Sequence, residues 1–209
     1  MQDVLKNFNR DNEQKLSSVN FQSVWIENKG NFTFQLHALP AIAQWSPVYA
    51  IAVNDFNGDG NADIALTGND FSMAPELGRS DALNGLVLQG DGKGNFTPLS
   101  VLQSGVFIPG NGKALLQVSM GSSIGLAASQ NQGPLRLFLN KNKEQLIAVQ
   151  PNETAAIVQL KNGKQRRQEF FYGSSFLSQS SRFVQMNASV KSISFYSNSK
   201  QTRVINNPQ

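Results

Sequence analysis

"NDFNGDGNADIALTGND", residues 54–70, sets Asp55, Asn57, Asp59, Asn61 and Asp63 at alternate positions with glycines at 58 and 60 between them. An apolar run stands on each side, "VYAIAV" at 48–53 and "DIALTG" at 63–68, so the stretch reads as a turn joining two short strands. Side-chain oxygens at every second position let one loop wrap a hard cation. Calcium collects about six to eight oxygens from carboxylates, amides, carbonyls and water. Asp55, Asn57, Asp59 and Asp63 offer side chains, Asn61 its backbone carbonyl, and Gly58 and Gly60 permit the curl. A metal-free Asx turn uses the same residue types. Three carboxylates within nine residues repel one another unless a cation lies between them, so the expectation is calcium. An EF-hand is excluded, because its closing carboxylate would fall on Leu66 and strands rather than helices flank the loop.

Working outward, the composition agrees with strands. Apolar residues make up 40% and charged residues 15%, with Asn, Gln, Ser and Gly abundant, which suits a turn-rich all-β chain. No cysteine is present, so disulfides and thiolate metal sites are excluded. No run reaches the roughly 20 apolar residues of a membrane helix, and "MQDVLKNFNRDNEQ" lacks the pattern of a secretory signal. The net charge of +4 owes much to "KNGKQRRQ" at 161–168, where Asn162-Gly163 predicts a hairpin turn and the basic residues a solvated surface.

The turn belongs to a repeat. "NKGNFT" at 28–33 returns as "GKGNFT" at 92–97, each preceded by an apolar strand, "SVWIE" at 23–27 and "GLVLQG" at 85–90. Each copy predicts a β-hairpin followed by a further strand pair: "VYAIAV" with "ADIALTG", then "ALLQVS" (114–119) with "IGLAAS" (124–129). "LRLFLN" at 135–140 predicts a third first strand without the glycine turn. Four short strands per unit is the pattern of propeller blades, here too few to close a ring. In the second unit "VSMGSSIGLA" (118–127) replaces the acidic turn and carries no carboxylate. The expected organisation is a linker or short helix over 1–20, blades over 21–140, and a small β-sandwich or barrel over 141–209 built from "TAAIVQL", "RQEFFYG", "RFVQMN", "VKSISFYS" and "TRVI".

With these residues on the page, the chain resembles FG-GAP or VCBS repeat proteins, whose blades carry D-x-[DN]-x-D-G-x-x-D, matched by "DFNGDGNAD" at 55–63. "GRSDALNGLVLQGDGKGNF" is similar to the final repeats of VCBS proteins of Bacteroidetes type. Residues from about 154 to 205 resemble the ASPIC/UnbV domain that follows such repeats, with two departures: "VQMN" at 184–187 stands where that domain reads F-G-L-G, and "YSNS" at 196–199 replaces W-P-x-G. The resemblance implies calcium-braced blades in extracellular, periplasmic or cell-surface proteins used for binding and adhesion.

Other chemistry is set aside. "GSSIG" at 121–125 fits the nucleophile-elbow pattern with Ser123, which needs a strand-turn-helix setting and a histidine, and His37 is the sole histidine. His37 reads as a strand-surface residue; Trp25 and Trp45 read as core or, exposed, as sugar-stacking rings. The long segment 69–85 offers Arg79 and Asp81, expected to pair internally. The expected function is non-enzymatic: a module for a protein or glycan partner, with calcium as the only cofactor and self-association possible through an open blade edge. The alternatives are an accessory domain of a larger glycan-processing enzyme, or RNA binding through Lys161, Lys164, Arg166 and Arg167. An aromatic-lined groove would favour binding; a carboxylate pair in a deep pocket would favour the enzyme.

Overall fold

The computed structural model describes residues 14, 16–174 and 177–208. The helix or linker expected over 1–20 lies mostly outside the described residues, and residues 16–20 carry no regular structure. The chain divides into two compact units, Met1–Ala38 and Leu39–Gln209.

The first unit is a hairpin of β1 (Val24–Gly30) and β2 (Thr33–Ala38). Its turn residues Asn31 and Phe32 both have positive φ, 49° and 57°, the conformation of a two-residue type I′ turn. Trp25 and His37 face each other across the ladder with rings stacked at 4.2 Å. His37 Nε2 lies 3.0 Å from Glu27 Oε2, so the histidine sits on a strand surface in a ring stack and a carboxylate contact. Ile26, Phe34 and Leu36 on the other face are exposed.

The second unit opens with an antiparallel sheet of β3 (Val48–Asn54), β4 (Asp63–Gly68), β5 (Leu86–Gly90) and β6 (Phe96–Leu99), in that spatial order. A second sheet follows, β7 (Asn111–Met120), β8 (Ser123–Asn131) and β9 (Arg136–Leu139). Every residue of β4 is buried: Ile64, Ala65 and Leu66 as apolar side chains, and Asp63 with both carboxylate oxygens accepting backbone N–H groups. Ala50, Ala52, Val87, Leu115 and Leu126 share one core across these two sheets.

A second core joins Ile147, Val158, Met186, Ile193 and Phe195. It forms where the pair β10 (Gln145–Ala148) and β13 (Phe183–Met186) meets the sheet of β11 (Ala155–Leu160), β12 (Gln165–Glu169), β14 (Val190–Ser197) and β15 (Lys200–Asn206), ordered β12-β11-β14-β15. Asn162-Gly163 makes the β11–β12 turn, with Gly163 at φ 86° and Asn162 Oδ1 accepting Lys164 N. Within this part Glu153 is fully buried, and its carboxylate accepts Arg203 Nε at 2.8 Å, Arg203 Nη2 at 2.9 Å, Thr202 Oγ1 and Gln150 N. The architecture is all-β and its sheets are open and antiparallel.

Four expectations are corrected in detail. The two Gly-Asn-Phe turns are not equivalent: the first is the two-residue turn above, the second a loop over 91–95 folded around Asp91, whose carboxylate accepts Lys93 N, Asn95 N and Asn95 Nδ2. The longer Glu27 occupies the matching place in the first copy and reaches Lys29 and His37 instead. The strand at "RQEFFYG" ends at Glu169: Phe170 N makes one more bond in register, to Thr154 O, and the chain then leaves the sheet. β9 pairs with β8 and not with the strand that follows it, since β10 buries Ile147 in the second core and pairs with β13. Arg79 lies over the Phe71 ring at 5.1 Å rather than pairing with Asp81. The segment 69–85 is braced by buried Asn69, which bonds Leu83 N, Leu83 O and Gly110 O, and by the Asp70–Ser80 bridge.

Candidate functional site

The acidic turn joins β3 to β4, and β-pairing of Asn54 with Asp63 fixes its two ends. Asp55 is fully buried: Oδ1 accepts Gly58 N at 2.8 Å, and Oδ2 accepts Gly60 N and Asn187 Nδ2, both at 2.8 Å. Asp63 is also buried and takes Phe56 N on one oxygen and Gly90 N on the other, each at 2.9 Å. The exposed half is a chain of Asx bonds: Asp59 N to Asn57 Oδ1, Asn57 Nδ2 to Asp59 Oδ2, and Asn61 N to Asp59 Oδ1. Asn61 itself turns its side chain toward Gly92, whose missing Cβ would lie 2.2 Å from Asn61 Oδ1.

The turn is also fastened from afar. Gln185 Nε2 donates to Asp55 O at 2.8 Å and to Glu144 Oε2 at 2.6 Å, and Asn140 Nδ2 donates to Phe56 O at 2.7 Å. Gln185 and Asn187 come from "VQMN", the segment that departs from the F-G-L-G pattern. These amides escape a reading of the sequence, because they stand 130 and 132 residues from Asp55. The departure of "VQMN" was the one signal available.

Burial pushes the Asp63 carboxyl up, the N–H groups of Gly90 and Phe56 pull it down, and the charges of Asp59 and Asp55 push it up again. Burial also raises Glu144, against the hydrogen bond from Gln185 and with the charge of Asp55. Both directions come first from burial, with the neighbouring carboxylate charges adding to it. The donor atoms fit calcium by kind, all hard oxygens from Asp55, Asn57, Asp59 and Asp63 with the carbonyl of Asn61. Their grouping does not: among the described residues no three His, Cys, Asp or Glu side chains come together as a metal-binding group, and the oxygens of Asp55 and Asp63 already accept N–H donors.

Beside the turn, a groove of about 450 Å³ runs between β3, β12 and the approach to β13. Ile51, Val53, Phe170, Phe171 and Phe183 line it, with Phe171 67% exposed as an open aromatic face. Its cations are Arg166, Arg167 and Arg182; its one carboxylate, Glu169, pairs with Arg167 Nε at 2.5 Å. Arg166 is half-buried, and burial lowers its pKa while Asp55 and Asp63 act to raise it. Arg182 bonds Tyr172 Oη at 3.0 Å and the carbonyls of Pro151 and Glu153, and its Nε is buried without a partner among the described residues. A second cavity, about 670 Å³, lies between the first two sheets and takes Phe56, Leu99, Leu126 and Phe138 in its walls with Asp63 as its one carboxylate.

The remaining candidates disperse. Ser123 opens β8 and is followed by a strand, so the nucleophile-elbow setting is missing there. Lys161 and Lys164 are exposed at the hairpin turn, Arg167 is paired and Arg166 faces the groove, which breaks up the basic cluster. Trp45 is 59% exposed and Trp25 stacks on His37. No helix among the described residues is long and apolar enough to cross a membrane. No protein-family model matches the chain, and no curated protein matches it in sequence.

Proposed function

We propose that the chain is a non-enzymatic binding module of extracellular or cell-surface type, in which blade-like sheets of FG-GAP/VCBS kind present a groove to a glycan or protein ligand. The groove carries the reading: it is lined by aromatic rings, one of them largely open, and its single carboxylate is already paired with Arg167. Ring faces and free donors favour holding a ligand over transforming it, since hydrolysis by acid and base needs two carboxyl groups flanking one bond. The 55–63 turn supports the reading as a brace beside the groove, able to take calcium if Asp59 leaves Asn57. Among the described residues β9 ends its sheet, and that edge gives a route to self-association.

The test is a screen of immobilised glycans and surface proteins against the wild type and Phe171→Ala. Ligands held by the wild type and lost in the variant support the groove. Cleaved ligand appearing in the same wells would replace this reading with an enzymatic one.

A further inference from the structure

We propose that the groove beside the acidic turn binds a carboxylate carried on a ring with an apolar face, with Arg166 as its primary anchor and Arg182 as its second. The proposal rests on the binding-module reading and supplies its ligand chemistry. The Arg166 side chain forms no hydrogen bond or ion pair among the described residues, although the residue is half-buried and lines the groove. Asp55 and Asp63 act on it only through their charge, because their oxygens accept the N–H groups of Gly58, Gly60, Phe56 and Gly90 and the amide of Asn187. They favour the charged guanidinium without giving it an acceptor. Desolvating a guanidinium without acceptors is unfavourable, and a planar carboxylate matches its fork of donors with two parallel bonds.

Arg182 has the same character. Its bonds go to the Tyr172 hydroxyl and to backbone carbonyls, its Cζ lies 4.8 Å from the Tyr172 ring centre, and its buried Nε lacks a partner among the described residues. Among the described residues no carboxylate side chain pairs with it. Among the described residues the groove's lining charges are thus three guanidinium groups against Glu169 alone, while Phe170 and Phe171 supply ring faces for an apolar body. A volume near 450 Å³ is in the range of small-molecule sites, about 300 to 1,000 Å³. Two sources share this chemistry, an aromatic acid and a uronic-acid sugar, and the probes separate them.

Calorimetric titration of the whole chain with 2-naphthoate and with trigalacturonate, each beside a neutral counterpart, 2-naphthamide and maltotriose, tests the proposal. At least one acid binds while its neutral counterpart does not, and Arg166→Gln weakens that acid by about tenfold or more, the scale of a lost charge-assisted pair. Lys164→Gln, on the exposed hairpin turn, leaves the affinity unchanged. Arg166→Lys keeps the charge but not the fork and binds between wild type and Arg166→Gln, which separates recognition from unfolding. Equal binding of an acid and its neutral counterpart overturns the carboxylate assignment while leaving the groove as a binding site. Failure of both acids to bind, or full affinity in Arg166→Gln, overturns the proposal outright. The binding-module reading then stands or falls on the Phe171→Ala screen alone.

Discussion

Glu153 shows what a single buried charge does in this chain. Burial acts to raise its carboxyl, but the hydrogen bond from Arg203, the Gln150 amide, the Thr202 hydroxyl and the Arg203 charge overcome this and hold it below its ordinary value of 4.5. A carboxyl depressed in the folded state adds stability above the unfolded value and loses it as pH falls through the folded one. Glu153→Gln is therefore expected to cost about 3 kcal/mol at pH 7, the scale for breaking a buried pair. The gap to wild type narrows toward pH 3. Urea midpoints at pH 7, 5 and 3 read this directly, and a gap that stays constant over that range would refute the assignment. At the candidate site, the sequence makes the five alternating residues of the turn visible, because their spacing is local. The partners that complete the site are not local. Gln185, Asn187 and Asn140 are single amides in unremarkable surroundings, and only the tertiary fold brings them to Asp55 and Phe56. Arg166 was legible as part of a basic run, while its separation from that run by the groove was not.

At the scale of the element, the strands were the most readable feature, since alternation and glycine turns act over a few residues. The hairpins at 24–38 and 86–99, the pairs β3–β4 and β7–β8, and the Asn162-Gly163 turn all follow from pattern. What failed was the choice of partner, as with β10, which joins β13 because Ile147 finds its burial there. Turn detail failed for a smaller reason: one methylene separates Asp91, which folds the loop around itself, from Glu27, which reaches past it. Gly90 closes β5 at a point where a Cβ would stand 2.1 Å from Ala62 O, and its N–H fills one oxygen of Asp63. Backbone cannot yield as a side-chain tip can. Gly90→Ala is expected to lower stability by about 3 kcal/mol, at the upper end of overpacking, with a reduced urea midpoint and an unchanged slope. A midpoint within error of wild type would show that the approach of β5 to the turn is looser than described.

At the scale of the whole molecule, the second unit holds two cores, and the acidic turn lies where they meet. Calcium bound at that corner would act on the stability of both cores. If the turn takes the ion, melting in calcium at ten times its dissociation constant should gain about 1.4 kcal/mol over melting in chelator. Asp59→Asn, changing the exposed carboxylate, should remove most of that gain with little effect in chelator. Coincident melts together with no bound metal in equilibrium dialysis would leave a turn held by its amides alone.

The fastening of Asp55 by Asn187 also orders events during synthesis. A chain emerging from the ribosome has β3, β4 and their turn well before the amide at 187 exists, given a separation of 132 residues. Until then the carboxylate meant for burial must remain hydrated, and the first two sheets can associate only with that corner unsealed. Long-range closure of this kind comes late and is slow. A chain lacking the C-terminal strands therefore leaves Asp55 without the Asn187 amide and that acidic corner open to water.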